Sequence, residues 1–416
     1  MDIPGLPARR AALRLLDAVL HRGETLDQAT HNAVQGIASG SDRALARALA
    51  AESLRWLVDL DALIDSATRQ RLADDAKVRS VLRLMLAGWL RLDTPPHAVI
   101  ATGLPLLAGG PRRLAHGVFS TLAKGPARLP DAPSLPASVV ERWGEARAAA
   151  VSAALAMPPP LDLTLRDPAE TALWSERLGG ISLMPGHLRC PRGDAVESLP
   201  GFVEGAWWVQ DLAASLPARL LGAPAEGHGK LRALDLCAAP GGKTLQLAAA
   251  GWQVTALDIS AKRLERLTRN LERTGLAADI VAADALEWSP EAPFDAILLD
   301  APCTATGTCR RHPDVLHRIG PRQIGEMAQL QARLLERAAG WLAPGGRLVY
   351  AVCSLEPEEG EAQARRVELA PLPVSADELP DAVRPTPEGW VQTGPDMLAG
   401  EGGLDGFFIA RWQAPA

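Results

Sequence analysis

The sequence has no uninterrupted apolar run long enough to span a bilayer. Its N-terminus lacks the basic, apolar, small-residue order of a secretory signal. Together these lead us to expect a cytoplasmic protein with no membrane partner. Cysteine is scarce: five in 416 residues, an odd number and widely spaced. That is not a disulfide framework, and no pair has structural-zinc spacing, so we expect free thiols and no metal. There is no basic excess either. The net charge of -6 argues mildly against a nucleic-acid partner. The balance is uneven, however. Residues 1–150 hold 19 Lys and Arg against 15 Asp and Glu, while the remainder holds 24 against 34. A local basic face in the N-terminal third is compatible with these numbers. No leftover apolar face is obvious, so the default expectation is a monomer.

A chain of 416 residues, 47% apolar and 22% charged, is that of a globular protein with two or three domains. Residues 8–145 read as almost purely helical. Apolar residues recur at helical spacing over Ala11–Leu20, Ala44–Leu63, Val78–Leu92 and Leu114–Leu122. Such a bundle serves packing or dimerisation, or docks a substrate. The stretch 126–136, rich in Pro and Ala, reads as a linker. A helix over Ala137–Leu155, a strand over Leu161–Leu165 and a helix over 169–178 then form a small α/β insert. Trp207 and Trp208 alternate faces and cannot share one core. Interdomain packing is favoured over stacking on a base or cofactor.

From Leu231 strands and helices alternate regularly. Strands are expected over 231–236, 254–257, 279–282, 296–299, 348–351 and 406–412, and helices over 244–250, 261–274, 322–342 and 358–369. This is an α/β fold with a doubly wound sheet, whose ligands belong at the carboxyl ends of the strands. Two cysteines fall there, Cys303 in Asp300-Ala301-Pro302-Cys303 and Cys353 in Ala351-Val352-Cys353-Ser354.

Cys237-Ala238-Ala239-Pro240-Gly241-Gly242-Lys243-Thr244 comes after the first of these strands. It is not a P-loop, since Cys237 stands where the first glycine belongs. Asp258 ends the second strand and can accept from ribose hydroxyls. Asp284 ends the third and can accept from an adenine amino group. Gly241 and Gly242 admit close backbone approach, and Lys243 suits a carboxylate. The bland reading is that both acids merely cap the helices after them. In this order and spacing they favour S-adenosylmethionine. Arg263 and Lys262 are ambiguous between surface and ligand.

At this point the chain resembles the RNA (cytosine-5)-methyltransferases of the Sun/Nop2 type, and within them the RsmB subgroup that acts on 16S ribosomal RNA. The matching stretches are Val209-Gln210-Asp211, 235–244, 300–303, Arg310-Arg311-His312-Pro313-Asp314, 353–359 and Asp405-Gly406-Phe407-Phe408. The N-terminal third resembles an all-α NusB-like RNA-binding domain. The resemblance implies a class I Rossmann-like methyltransferase with a mostly parallel sheet. Its domains are expected at 1–135, 136–225 and 226–416. It implies methyl transfer to C5 of a cytosine in small-subunit rRNA before full assembly. In that scheme Cys353 attacks C6, Cys303 aids loss of the C5 proton and release, and Asp300 holds the cytosine edge and touches the cofactor site. Residues 237–243, Asp258, Arg263 and Asp284 would complete that site. Arg310, Arg311 and His312 would hold RNA phosphate. Alternatives are a tRNA substrate, or a non-catalytic RNA-binding assembly factor. DNA methylation would use a cysteine after proline, like Cys303, and leaves Cys353 unexplained. Two departures stand out: Thr304-Ala305-Thr306-Gly307 where Ser-Gly-x-Gly is usual, and Val352 where threonine is usual.

Overall fold

The computed structural model describes residues 3–193, 195–224 and 231–416. The expected boundary at 225/226 lies outside the described residues. Contacts divide the chain into two compact units, 1–158 with 309–319, and 159–308 with 320–416.

The first unit is all-helical: α1 (Leu6–Arg22), α2 (Leu26–Ala33), α3 (Gly40–Arg55), α4 (Leu57–Ser66), α5 (Lys77–Leu90), α6 (Pro96–Gly103), α7 (Gly109–Lys124), α8 (Ala137–Trp143) and α9 (Glu145–Leu155). Periodicity locates α1, α5 and α7. It runs α3 into α4 because apolar spacing continues across Trp56. There the backbone leaves helical geometry (φ -106°, ψ 20°), and the indole is buried in the core. Likewise Gly144, at φ 78° and ψ 155°, splits the helix expected over 137–155. Two short helices were not anticipated. One, α2, is opened by a Thr25–Gln28 capping box; the other, α6, has Pro96 at its first position, where the missing N–H costs nothing.

Residues 309–319, with the short helix α14 (Val315–Arg318), belong to this unit. Arg55 donates to the Arg310 carbonyl at 2.8 Å, and the Leu26 N–H to Asp314 at 3.3 Å. His317 Nε2 donates to the Leu54 carbonyl at 2.6 Å. Val315 and Leu316 are buried.

The second unit holds two sheets. β1 (Leu161–Leu165), β2 (His187–Cys190) and β3 (Trp207–Val209) form a small antiparallel sheet in the order β2-β1-β3, flanked by α10 (Thr171–Leu178). Trp207 packs on one face with Leu163, Trp174 and Leu188. Trp208 packs on the other with Ala239, Leu264 and Leu267. The alternation therefore puts the two indoles in separate cores. Buried Asp162 takes a bidentate grip from Arg189 (2.7 and 2.8 Å) and accepts from the Leu212 N–H at 3.1 Å, which fixes the start of α11 (Leu212–Leu221).

The main sheet comprises β4 (Arg232–Leu236), β5 (Gln253–Asp258), β6 (Asp279–Ala282), β7 (Phe294–Asp300), β8 (Leu342–Val352), β9 (Ala370–Pro371), β10 (Val391–Thr393) and β11 (Phe407–Gln413). Its order is β10-β11-β8-β7-β4-β5-β6, with β9 also on β11. β4 to β8 pair in parallel, whereas β9, β10 and β8 pair antiparallel to β11. Helices α12 (Gly242–Ala249), α13 (Ala261–Thr274), α15 (Pro321–Gly340) and α16 (Glu361–Ala364) complete the unit. Both faces are covered, so central strands read as continuous apolar runs. Leu298 faces the core with Leu216 and Leu247. Its neighbour Leu299 faces the core with Leu334 and Ala338. The strand order reverses between β4 and β7, the switch point where open sheets form a ligand crevice. The helix expected over 358–369 shrinks to α16, because the preceding turn folds back to bury Glu359.

Candidate active site

The carboxyl ends of β4, β5, β7 and β8 bring most of the expected residues to one edge of the sheet. Asp300 ends β7, and Ala301 N donates to the Ala351 carbonyl at 2.9 Å, holding the two cysteine-bearing segments in step. The Cys303 and Cys353 sulfurs lie 3.4 Å apart. Both are half-buried free thiols. The hydrogen bond that Cys303 donates to the Cys353 sulfur, and then burial, raise the Cys303 pKa well above the ordinary thiol range. Cys303 therefore keeps its proton at neutral pH.

Backbone approach explains the nearby glycines. Gly307 N donates to the Cys353 carbonyl at 3.1 Å, and Gly406 N to the Gly307 carbonyl at 2.8 Å. A Cβ on Gly307 would lie 2.0 Å from the Gly406 oxygen. The Asp405-Gly406 turn thus closes against the Cys303 loop with no space for a side chain. Ala305 holds φ 58°, a conformation that favours glycine. The two threonines around it are used. Thr304 N donates to Glu359 at 2.9 Å, and its hydroxyl donates to the other carboxylate oxygen. Ser354 also donates to Glu359, and Gln331 Nε2 does so at 3.1 Å. The Thr306 hydroxyl accepts from Leu355 N at 3.0 Å. One buried carboxylate therefore ties the residue after Cys303 to the residue after Cys353. Burial raises its pKa, against the hydrogen bonds that lower it. Sequence patterns gave no role to Glu359, Thr304 or Gln331, because none sits at a strand end or in a spacing that signals chemistry.

Lys243, at the start of α12, lies 2.7 Å from Asp300 and is buried. Burial opposes its charge, but Asp300 outweighs that and raises the pKa. The lysine expected to meet a cofactor carboxylate is here the partner of the acid beside Cys303. Its ammonium also sits 5.5 Å from the Phe407 ring centroid.

The loop 237–242 fits a nucleoside-bearing cofactor in its backbone chemistry. Gly241 has φ 106°, and a Cβ there would lie 2.3 Å from Leu267. Buried Asp258 accepts from Ala239 N at 3.1 Å and Ser260 N at 2.9 Å. Arg263 approaches the same carboxylate at 3.4 Å and donates to the Ala239 carbonyl. Asp284 accepts from Leu286 N at 2.9 Å. Both acids thus cap the turns after them. A carboxylate has about four lone-pair sites, so each retains capacity for a ligand hydroxyl or amine. Within the loop, Ala238 and Ala239 are buried. Cys237 has φ 62°, and burial pushes its thiol up to about 12.

Arg310, Arg311 and His312 are not in this unit. Arg310 is fully buried in the helical unit, so its guanidinium is out of reach of a phosphate; that expectation is corrected. His312 stays partly exposed, with Nδ1 3.6 Å from Asp27, and Arg311 is half-buried. Cys309 and Cys190 are buried, the latter pushed up to about 11. Among the described residues, no group of His, Cys, Asp and Glu is arranged to hold a metal, and no helix is long and apolar enough to cross a membrane.

Residues 223–413 match the 16S rRNA methyltransferase RsmB/F family, and residues 6–106 the NusB family. A ribosomal RNA small subunit methyltransferase B from Citrobacter koseri is 33% identical over 97% of this chain and 98% of its own. Its counterpart from Xanthomonas campestris pv. campestris is 35% identical over 98% and 97%. This chain belongs to the 16S rRNA methyltransferase RsmB/F family. The expected combination of an all-α NusB-like domain with a mostly parallel Rossmann-like methyltransferase sheet is thereby established. The fold is shared with the crystal structure of PH0851, at TM-score 0.73, 22% identity and 99% coverage of both chains. It is also shared with a methyltransferase homologue from Pyrococcus horikoshii, at TM-score 0.53, 27% identity and coverage of 67% and 93%. The RsmB/F catalytic region is thus the segment whose strand ends carry both cysteines.

Proposed function

We propose that the protein transfers a methyl group from S-adenosylmethionine to C5 of a cytosine in small-subunit ribosomal RNA, through a covalent bond between Cys353 and C6. The observation that carries this is the pair of thiols 3.4 Å apart, beside the Lys243–Asp300 ion pair. C5 of cytosine is a weak nucleophile. Attack of the Cys353 thiolate on C6 pushes electrons to C5, which then accepts the methyl. The cofactor, when bound, would supply that methyl from its sulfonium and leave as the neutral thioether S-adenosylhomocysteine. Cys303, protonated at rest, first gives its proton to a base such as solvent water; as a thiolate it then takes the C5 proton, the C5–C6 double bond re-forms, and the C6–sulfur bond breaks to release Cys353 as a thiolate. Asp300 and Lys243 offer an acceptor and a donor to the cytosine edge. The loop 237–242, Asp258, Arg263 and Asp284 would hold the cofactor. Arg311 and His312 are the RNA contacts retained from their motif.

Reaching both thiols requires a base that is flipped or single-stranded. That suits rRNA before full assembly. The names of the relatives support rRNA over tRNA, and a cytoplasmic monomer fits this role. The test is incubation with tritiated S-adenosylmethionine and unmodified 16S rRNA, with tRNA in parallel, and bisulfite mapping of the product. One C5-methylated cytosine in rRNA is expected. Label only in tRNA would remove the rRNA assignment, and no label with cofactor bound would favour a non-catalytic assembly factor.

A further inference from the structure

Helix α13 carries five basic residues and two acidic ones, within a half of the chain that is otherwise strongly acidic. The charges are ordered. Leu264, Leu267, Leu271 and Thr274 form the buried face. Lys262, Arg266, Arg269 and Arg273 recur at steps of four, three and four, which at 3.6 residues per turn puts them along one line opposite that face. Glu265 and Glu272 fall to one flank. Lys262, Arg266 and Arg269 are exposed and make no ion pair among the described residues. Arg263 turns away to Asp258. Arg273 is anchored: it donates to the Phe202 and Trp207 carbonyls at 2.6 and 3.1 Å, and its guanidinium lies 4.4 Å from the Phe202 ring centroid. The stripe therefore runs from the helix start, close beyond Asp258, to the turn 200–205 of the small sheet. Like charges at i and i+4, as in Lys262–Arg266 and Arg269–Arg273, destabilise a helix by about 0.2–0.5 kcal/mol per pair. Nothing in the packing of α13 requires them.

We infer that the outer face of α13 is an RNA-docking surface, with Lys262, Arg266 and Arg269 holding successive backbone phosphates. The inference rests on the proposed RNA substrate and adds a contact surface to it. Phosphate contacts position the nucleic acid without reading its sequence. The three cations span about 10 Å along the helix at 1.5 Å per residue. The acidic side chains nearest the stripe in sequence are Glu265 and Glu272 on the helix, Glu204 in the anchoring turn, and Asp258, which is engaged by Ala239 N, Ser260 N and Arg263. Helical spacing sets Glu265 and Glu272 to one flank, which leaves the line of cations continuous.

The test is binding of an unmodified 16S rRNA transcript between 50 and 300 mM salt. It compares wild type, the triple variant Lys262→Gln/Arg266→Gln/Arg269→Gln, and the charge-keeping Lys262→Arg/Arg266→Lys/Arg269→Lys. The triple variant should lower the slope of log K against log salt by about 2, and weaken binding roughly 100-fold at 0.1 M salt. Cofactor affinity should be unchanged, and the charge-keeping variant should bind as wild type. The single variant Arg266→Gln, with a slope lower by about 0.7, guards against misfolding of the triple. An unchanged slope in a triple variant that binds cofactor, while wild type methylates RNA, overturns the α13 surface alone. Absence of RNA binding and methylation by wild type overturns the surface and the substrate reading together.

Discussion

The residues to which the proposed chemistry is assigned differ in how visible they are. Cys303, Cys353 and Asp300 are legible because each ends an apolar strand, where an α/β sheet places reacting groups. Glu359 is not, because its role arises only when two loops fold onto one carboxylate. Glu359→Gln puts an amide N–H against donors that now face oxygen. We expect kcat to fall roughly 10–100-fold with cofactor affinity unchanged, since small misplacements of reacting groups cost about that much. Equal losses in both would assign Glu359 to the cofactor site instead. The thiols separate in their effects. Cys353→Ala should abolish transfer and spare cofactor binding. Cys303→Ala should accumulate a covalent RNA adduct, visible as a gel-shifted species. Asp235 adds a pH dependence. Burial pushes it up to about 7, against its hydrogen bond from Thr244. Its unfolded value is about 3.9. Between these, the folded protein holds a proton that the unfolded chain has released, so stability declines as pH rises from about 4 to about 7. Asp235→Asn should flatten that decline in Tm; an unaltered profile would place the titration elsewhere.

At the scale of elements, apolar alternation locates β4, β5, β7 and β8 and the helices between them, because strands buried on both faces leave a strong signal. Short edge elements such as β2, β9 and β10 have little apolar content and left none. Breaks inside helical runs were equally hidden, since Trp56 continues the apolar spacing while its backbone leaves it. Close backbone packing decides the loop between β7 and α15. Gly307→Ala must displace the Gly406 carbonyl, and is expected to destabilise the second unit by about 1–3 kcal/mol and to lower activity. Ala305→Gly should act in the opposite sense and raise Tm, because φ 58° is relaxed for glycine. A lower Tm for Ala305→Gly would show that the alanine side chain contributes more than the strain removes.

Over the whole molecule, the division into a helical part and an α/β part is written in the change from period 3.6 to alternating strands. The excursion of residues 309–319 into the helical unit is not, because the basic motif 310–312 reads as an anion site when its contacts are unknown. Removing residues 1–158 should leave Val315, Leu316 and Asp314 without the packing they have here. The remaining chain should aggregate or melt at lower temperature than the full protein. The most direct measurement of the thiol pair's chemistry incubates wild type and Cys353→Ala with tritiated S-adenosylmethionine and unmodified 16S rRNA, and maps the product by bisulfite sequencing. One C5-methylated cytosine is expected with wild type and none with Cys353→Ala, with both binding cofactor equally. Full methylation by Cys353→Ala would contradict the covalent role of Cys353.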